Sequence, residues 1–144
     1  MKHYDIIIIG SGIAGISLGS IISKERKVAI IEKEKQLSYH STGRSFAFFI
    51  ESYGNNAIIE LTKISKKFFY DNFNLFLKKK GVMFIGNNKQ KTIVEDFYNE
   101  HKHKVKLELF SKKETIKLAN CLNEDYVNNS VIDINASEID VNNL

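Results

Sequence analysis

Gly10-Ser11-Gly12-Ile13-Ala14-Gly15 is the stretch of this 144-residue chain with the clearest chemical meaning. Its spacing is G-x-G-x-x-G, with a β-branched apolar run before it and a helix-like run after it. In that context Gly10 lets the main chain turn sharply, and Gly12 lets a pyrophosphate approach the backbone. Gly15 lets the helix lie close to the strand. The free N–H groups and positive dipole end of the helix starting near Ile13 would then face a diphosphate. Glu32, 22 residues after Gly10, ends a second apolar run. A carboxylate there can accept the ribose hydroxyls of an adenosine and would repel a 2′-phosphate. No Gly-Lys-Ser/Thr ending follows the glycines, so this is not a P-loop. A dinucleotide is implied, and the fingerprint alone does not separate NAD from FAD.

The elements that must position these residues follow from periodicity. Tyr4–Ile9 reads as a strand buried on both faces. Ile13 to about Ser23 reads as a helix, with Ile13, Ile16 or Ser17, Leu18 and Ile21 packed inward. After a polar turn at Lys24–Lys27, Val28–Ile31 is a second strand, completing a βαβ unit with parallel strands. Lys33–Ser45 is a polar loop. Ile58, Leu61, Ile64, Phe68 and Phe73 recur at helical steps, which predicts an amphipathic helix over about 56–73 with those residues inward. Lys78–Lys80 reads as a turn before a strand at Gly81–Gly86, followed by a helix over 91–104 and a strand at Val105–Phe110. Ser111 and Glu114 have capping-box spacing, so a short helix should run to about Ala119. Val131–Asn135 reads as a strand, and Asp140 as the cap of a helix that the end of the sequence cuts off.

Two further features narrow the cofactor. Gly19 extends the fingerprint to GxGxxGxxxG, and the unit begins at residue 4. Both resemble flavoproteins of the glutathione-reductase and D-amino-acid-oxidase types. The segment Tyr39-His40-Ser41-Thr42-Gly43-Arg44-Ser45, with Tyr53-Gly54 after it, resembles the D-amino-acid-oxidase (DAO) group of FAD oxidoreductases. Within that group it is most similar to FAD-dependent D-arginine dehydrogenase-like proteins. The resemblance covers about residues 4–54 strongly, and Ser111–Ala119 and Val131–Leu144 more weakly.

The resemblance implies an α/β chain: a Rossmann-like FAD-binding βαβ unit of glutathione-reductase type, then the truncated beginning of an α+β substrate domain. Residues 1–54 would be the first segment of the FAD-binding domain, and residues 55–144 the incomplete start of the substrate domain. The implied cofactor is FAD. Its contacts would come from Gly10, Ser11, Gly12, Ile13, Ala14, Gly15, Glu32, Lys33, His40, Ser41, Thr42, Arg44 and Ser45, with Ser45 near the isoalloxazine ring. Tyr53 would touch the substrate, an amine or D-amino acid oxidised by hydride transfer to flavin, whose imine product hydrolyses to a keto acid and ammonia. Phe48 stands where the subgroup has an active-site histidine. The family's later FAD-binding segment and most of its substrate sheet have no counterpart here. An FAD-binding subunit completed by a second polypeptide, or an inactive truncated product, is therefore the alternative reading. An NAD-binding Rossmann protein is disfavoured by the 39–45 segment.

Composition excludes other classes. Hydrophobic residues make up 43% and charged residues 26%, ordinary for a globular domain. Cys121 is the single cysteine, so no internal disulfide forms, and a buried structural thiol in a reducing compartment is the simplest reading. Residues 6–22 are apolar but hold four Gly and three Ser behind Asp5, which suits strand, turn and helix better than a signal sequence. No transmembrane segment is read, and the localisation expected is cytoplasmic. Residues 60–117 carry 14 Lys against 7 acids, yet no arginine lies beyond Arg44, so the pattern that reads nucleic acid is missing. His101 and His103 lie among lysines with no third ligand near, so no metal is expected. Phe68-Phe69-Tyr70 reads as core packing.

Overall fold

The run Ile6–Ile9 forms strand β1, the ten residues Ile13–Ile22 form helix α1, and Val28–Ile31 form strand β2. β1 and β2 pair in parallel, Ile6 opposite Val28 through Ile9 opposite Ile31. The entry to the pair is closed by Asp5, whose carboxylate accepts from the Lys27 amide at 2.8 Å while its own amide donates to the Lys27 carbonyl at 2.9 Å. This computed structural model describes residues 3–144, which group into one compact unit ending at Phe46 and a second spanning Ala47–Leu144.

Helix α1 meets its sheet differently from the sequence expectation. Gly19 is its buried residue, and a Cβ there would lie 2.9 Å from Ile30 Cδ1. Ile16 is half-buried, whereas Ile13, Leu18 and Ile21, expected inward, are exposed. The helix is apolar nearly all round, so periodicity could not choose its face. The glycines choose it, because the side without Cβ atoms approaches the strands most closely. Residues 33–45 then pass through successive turns, as the loop expectation has it.

The second unit opens with a two-residue strand, β3 (Phe48–Phe49). Helix α2 spans Asn56–Asp71, with the Asn55 side chain accepting from the Ile58 amide at 3.1 Å. It gives way to a single turn, α3 (Phe73–Phe76), and to β4 (Leu77–Lys79). Next come β5 (Val82–Gly86), α4 (Lys91–His101), β6 (Leu107–Ser111) and α5 (Lys112–Leu118), and then β7 (Asn129–Asp133) and β8 (Ser137–Ile139). β5, β7 and β6 make one antiparallel sheet with β7 central; β3, β8 and β4 make another with β8 central. Val94 of α4, Leu107 of β6 and Val131 of β7 form the core, flanked by Phe97, Tyr98 and Val105.

Several expectations are corrected here. Lys78–Lys80 does not turn: β4 occupies most of it, paired with β8 so that Lys78 faces Glu138. Asp140 caps no helix and closes a turn instead, its Oδ1 accepting from the Asn142 amide at 3.0 Å. Ile58, Leu61, Ile64 and Phe68 of α2 are exposed, and Ile59 is the buried residue. Phe49 draws in the neighbouring face, its ring 5.2 Å from Phe69 and 5.9 Å from Tyr70. Cys121 is exposed. The capping box does form: the Ser111 amide and hydroxyl donate to Glu114 at 2.9 and 2.6 Å. β3 pairs with β8, and residues from Ala47 onward group into the second compact unit.

Candidate functional site

The site begins at the end of β1. The Gly10 amide donates to the Ile31 carbonyl at 2.8 Å, and Gly10 then takes φ +100°, the left-handed region open to glycine. A Cβ at Gly15 would lie 2.1 Å from the Gly10 carbonyl oxygen, so the turn folds over the helix with no room for a side chain. Gly12 precedes α1 in extended conformation and supplies no capping side chain, and the first helical turn holds no acid. The positive end of the helix is thus left for a partner from elsewhere. Thr42 provides one: its Oγ1 accepts from the Ile13 amide at 3.1 Å and lies 3.3 Å from where a Gly12 Cβ would be. The 41–45 loop therefore lies over the glycine turn.

Glu32 sits at the other side of the turn. Its Oε2 accepts from the Ser11 amide at 2.8 Å and the Ser11 hydroxyl at 2.5 Å, and its Oε1 from the Glu34 amide at 2.9 Å. The Glu34 amide, the Ser11 hydroxyl and the Ser11 amide together hold the carboxyl at about 2, below its usual 4.5. The carboxylate is ionised across the physiological range, as an acceptor of hydroxyl protons must be.

Ser38 joins the two halves of the site. It adopts φ 56°, left-handed for a non-glycine residue. Its hydroxyl donates to the Ser11 carbonyl at 3.0 Å, and its own carbonyl accepts from the Gly43 amide at 2.6 Å. Beyond it, His40 Nε2 lies 3.0 Å from Glu34 Oε1, and the Arg44 guanidinium stacks 4.8 Å over the Tyr39 ring. The Ser45 amide donates to the Thr42 carbonyl at 3.2 Å.

The first unit thus brings together Gly10, Ser11, Gly12, Ile13, Gly15, Glu32 and Thr42. His40, Arg44 and Ser45 form the outer part of the same loop, while Ala14, Lys33 and Ser41 are exposed. Ser11 is fully buried. Sequence reasoning missed Ser38 and Glu34. A serine in a polar loop carries no signal of a left-handed turn, although Glu34 was readable as the first acid after Glu32.

Tyr53 belongs to the second unit and is 62% exposed. Ser52 before it is fully buried and donates to Asp133 Oδ2 at 2.8 Å, anchoring this loop to the end of β7. Gly54 after it has φ +92°, with Ile58 2.9 Å from where a Cβ would stand. Phe48 is half-buried in β3 opposite Glu138.

A family model described as FAD dependent oxidoreductase, DAO, matches residues 5–140. This chain belongs to the DAO family of FAD dependent oxidoreductases. An uncharacterized protein of Methanocaldococcus jannaschii is 39% identical over 59 residues, covering 40% of this chain and 16% of that protein. Among solved structures, the chain is similar to the FAD-bound L-α-glycerophosphate oxidase of Mycoplasma pneumoniae, with TM-score 0.83 and 17% identity over 98% of this chain. It is also similar to glycine oxidase of Geobacillus kaustophilus, with TM-score 0.84 and 14% identity over 98% of this chain. The matches cover 40% and 42% of those two proteins, so the chain spans about two-fifths of their length. The residues present fit the cofactor of the family. Gly12 puts no side chain in the way and meets the Thr42 hydroxyl, the helix end bears no acid, and Glu32 is an ionised acceptor. Among the described residues, no helix is long and apolar enough to cross a membrane.

Proposed function

We propose that this chain holds the adenylate and diphosphate end of FAD in an oxidoreductase acting on an amine or D-amino acid. The observation that carries the reading is Glu32, ionised and fixed beside the glycine turn at the edge of a helix N-terminus that carries no acid of its own. In this reading Glu32 accepts from the ribose, and the Gly10–Gly15 turn with Ile13 and Ala14 faces the diphosphate. Ser41, Thr42, Arg44 and Ser45 line the way toward the flavin, with Lys33 and His40 at the border. The Thr42 hydroxyl, now on the Ile13 amide, would share that amide with a phosphate oxygen. Bound FAD supplies the two-electron acceptor.

The substrate class rests on the 39–45 resemblance to D-arginine dehydrogenase-like proteins and on glycine oxidase among the structural neighbours. Tyr53 is assigned to substrate contact on its match to the family's Tyr-Gly pair. Its ring is exposed and its loop is anchored by Ser52. The remaining wall of the substrate pocket would come from polypeptide beyond these residues, in the same protein or in a second one.

The test is titration of the purified chain with FAD, followed by flavin absorbance and fluorescence. Binding that Glu32→Ala sharply weakens without changing the far-UV spectrum supports the reading. Equal retention by both proteins overturns it. Anaerobic mixing of the FAD-loaded chain with amino acids should leave the flavin band unbleached until the complementary polypeptide is added.

A further inference from the structure

Ser11 occupies the variable position of the glycine fingerprint, where a side chain toward the ligand would be expected. Its side chain is instead fully buried and points at protein. The amide and hydroxyl both donate to Glu32 Oε2, the carbonyl accepts from the Ser38 hydroxyl at 3.0 Å and amide at 3.2 Å, and the hydroxyl oxygen lies 3.3 Å from the Ser38 amide. We propose that Ser11 is a positioning residue for the cofactor: it fixes the Glu32 carboxylate and couples it, through Ser38, to the 41–45 loop. This rests on the FAD reading above and adds the residue that sets the acceptor's orientation.

Hydrogen-bond accounting supports it. A carboxylate offers about four lone-pair directions. Two are taken by Ser11 and one by the Glu34 amide, with the Lys33 amide a weaker further donor, so only a narrow approach remains for a ribose hydroxyl. Which direction remains is decided by where the Ser11 hydroxyl points. Glu32 therefore reaches a ligand in a single orientation and pays little entropy on binding. Ser38 extends the link. Its left-handed backbone is compensated by bonds to Ser11 on one side and Gly43 on the other. The adenylate acceptor and the loop that carries Thr42 and Arg44 are thereby held in one register.

The charged groups beside Glu32 are the exposed Lys33 and Glu34, whose carboxylate is engaged by His40. The donors on Glu32 itself are the Glu34 amide, the Ser11 hydroxyl and amide and, most weakly, the Lys33 amide. Removing the Ser11 hydroxyl should therefore move the Glu32 titration upward without a compensating cation.

The experiment compares the unsubstituted chain with Ser11→Ala and Ser38→Ala. Two readouts are used: the Glu32 carboxyl titration, followed by carbon NMR, and the FAD dissociation constant at neutral and mildly acid pH. Ser11→Ala should raise the Glu32 midpoint toward the ordinary carboxylate range and weaken FAD about tenfold, a typical loss for a bond to a charged group. Its FAD affinity should fall further on mild acidification, where the unsubstituted protein stays flat. Ser38→Ala, which leaves the Ser11 hydroxyl on Glu32, should leave the midpoint in place. An unmoved midpoint and unchanged affinity in Ser11→Ala overturn the proposal. If no protein binds FAD, the functional reading fails, and the Glu32 midpoint still decides whether Ser11 fixes the carboxylate. Should Ser11→Ala not fold, the unsubstituted chain decides: a Ser11 hydroxyl proton detected by NMR in a hydrogen bond to the Glu32 carboxylate supports the proposal, and a freely exchanging hydroxyl overturns it.

Discussion

The two units are built on opposite principles. In the first, Ile8 is the buried hydrophobic residue, while Ile7, Ile9, Ile30 and Ile31 are exposed, Ile9 at 87%. Beside the β1–β2 ladder and the packing of α1 on it, its links between distant segments are polar: Asp5 to Lys27, Glu32 to Ser11, Ser38 to Ser11 and Thr42 to Ile13. The second unit buries Phe49, Ile59, Leu77, Val94, Leu107, Val127, Val131 and Ala136. Parallel sheets normally bury both faces, so the isoleucines of β1 and β2 have the composition of covered strands. The difference teaches how the proposed function would be housed. The loops proposed to hold the cofactor belong to the unit linked by specific hydrogen bonds, and the apolar core lies in the other.

The strongest way to break this comparison is Gly15→Val. The new side chain meets the Gly10 carbonyl, so native structure in the first unit and all FAD binding should be lost. Amide exchange in the β5–β7–β6 sheet should persist, and its simultaneous loss would show that the units fold as one. Next in size is Leu107→Ala, which opens a cavity beside Val94 and Val131 and should cost about 2–5 kcal/mol in denaturant unfolding. Protection of residues in β1 and β2 should stay unchanged.

A smaller effect comes from Thr42→Val, which keeps the shape and removes the acceptor for the Ile13 amide. Loss of a helix cap of this kind costs about 0.5–2 kcal/mol, and Thr42→Ser should restore most of it in thermal unfolding. The smallest expected effect is on acid stability. Glu32 is depressed from 4.5 to about 2, so its contribution is complete above about pH 4.5 and is lost as pH falls toward 2. Glu114 is lowered in the same direction by the Ser111 hydroxyl and amide, so the second unit shares that sign. Glu32→Gln should remove the acid dependence of the first unit only, as followed by residue-resolved exchange.

Much of the site was legible because its signals are local. The strand–glycine turn–helix order, the end of β2 at Ile31 before Glu32, and the Ser111–Glu114 box follow from short-range backbone chemistry, and they form as read. Residues 56–71 were readable as a helix from their period, but not the face they bury. The α2 face was set by Phe49, which is distant in sequence and lies in a strand too short to show a period.

By itself, then, the order of residues determined the βαβ unit, the glycine positions and the acidic residue at the end of the second strand, because turn sterics and β-branched runs act within a few residues. Tertiary structure alone decided that Ser11 turns inward to Glu32, that Ser38 adopts a left-handed bend between two loops, and that Ser52 is tied to Asp133, 81 residues away. It also decided that Phe48–Phe49 and Ser137–Ile139 become strands at all. Such contacts are fixed by which groups are left unsatisfied once the chain has collapsed, and no local pattern encodes that remainder.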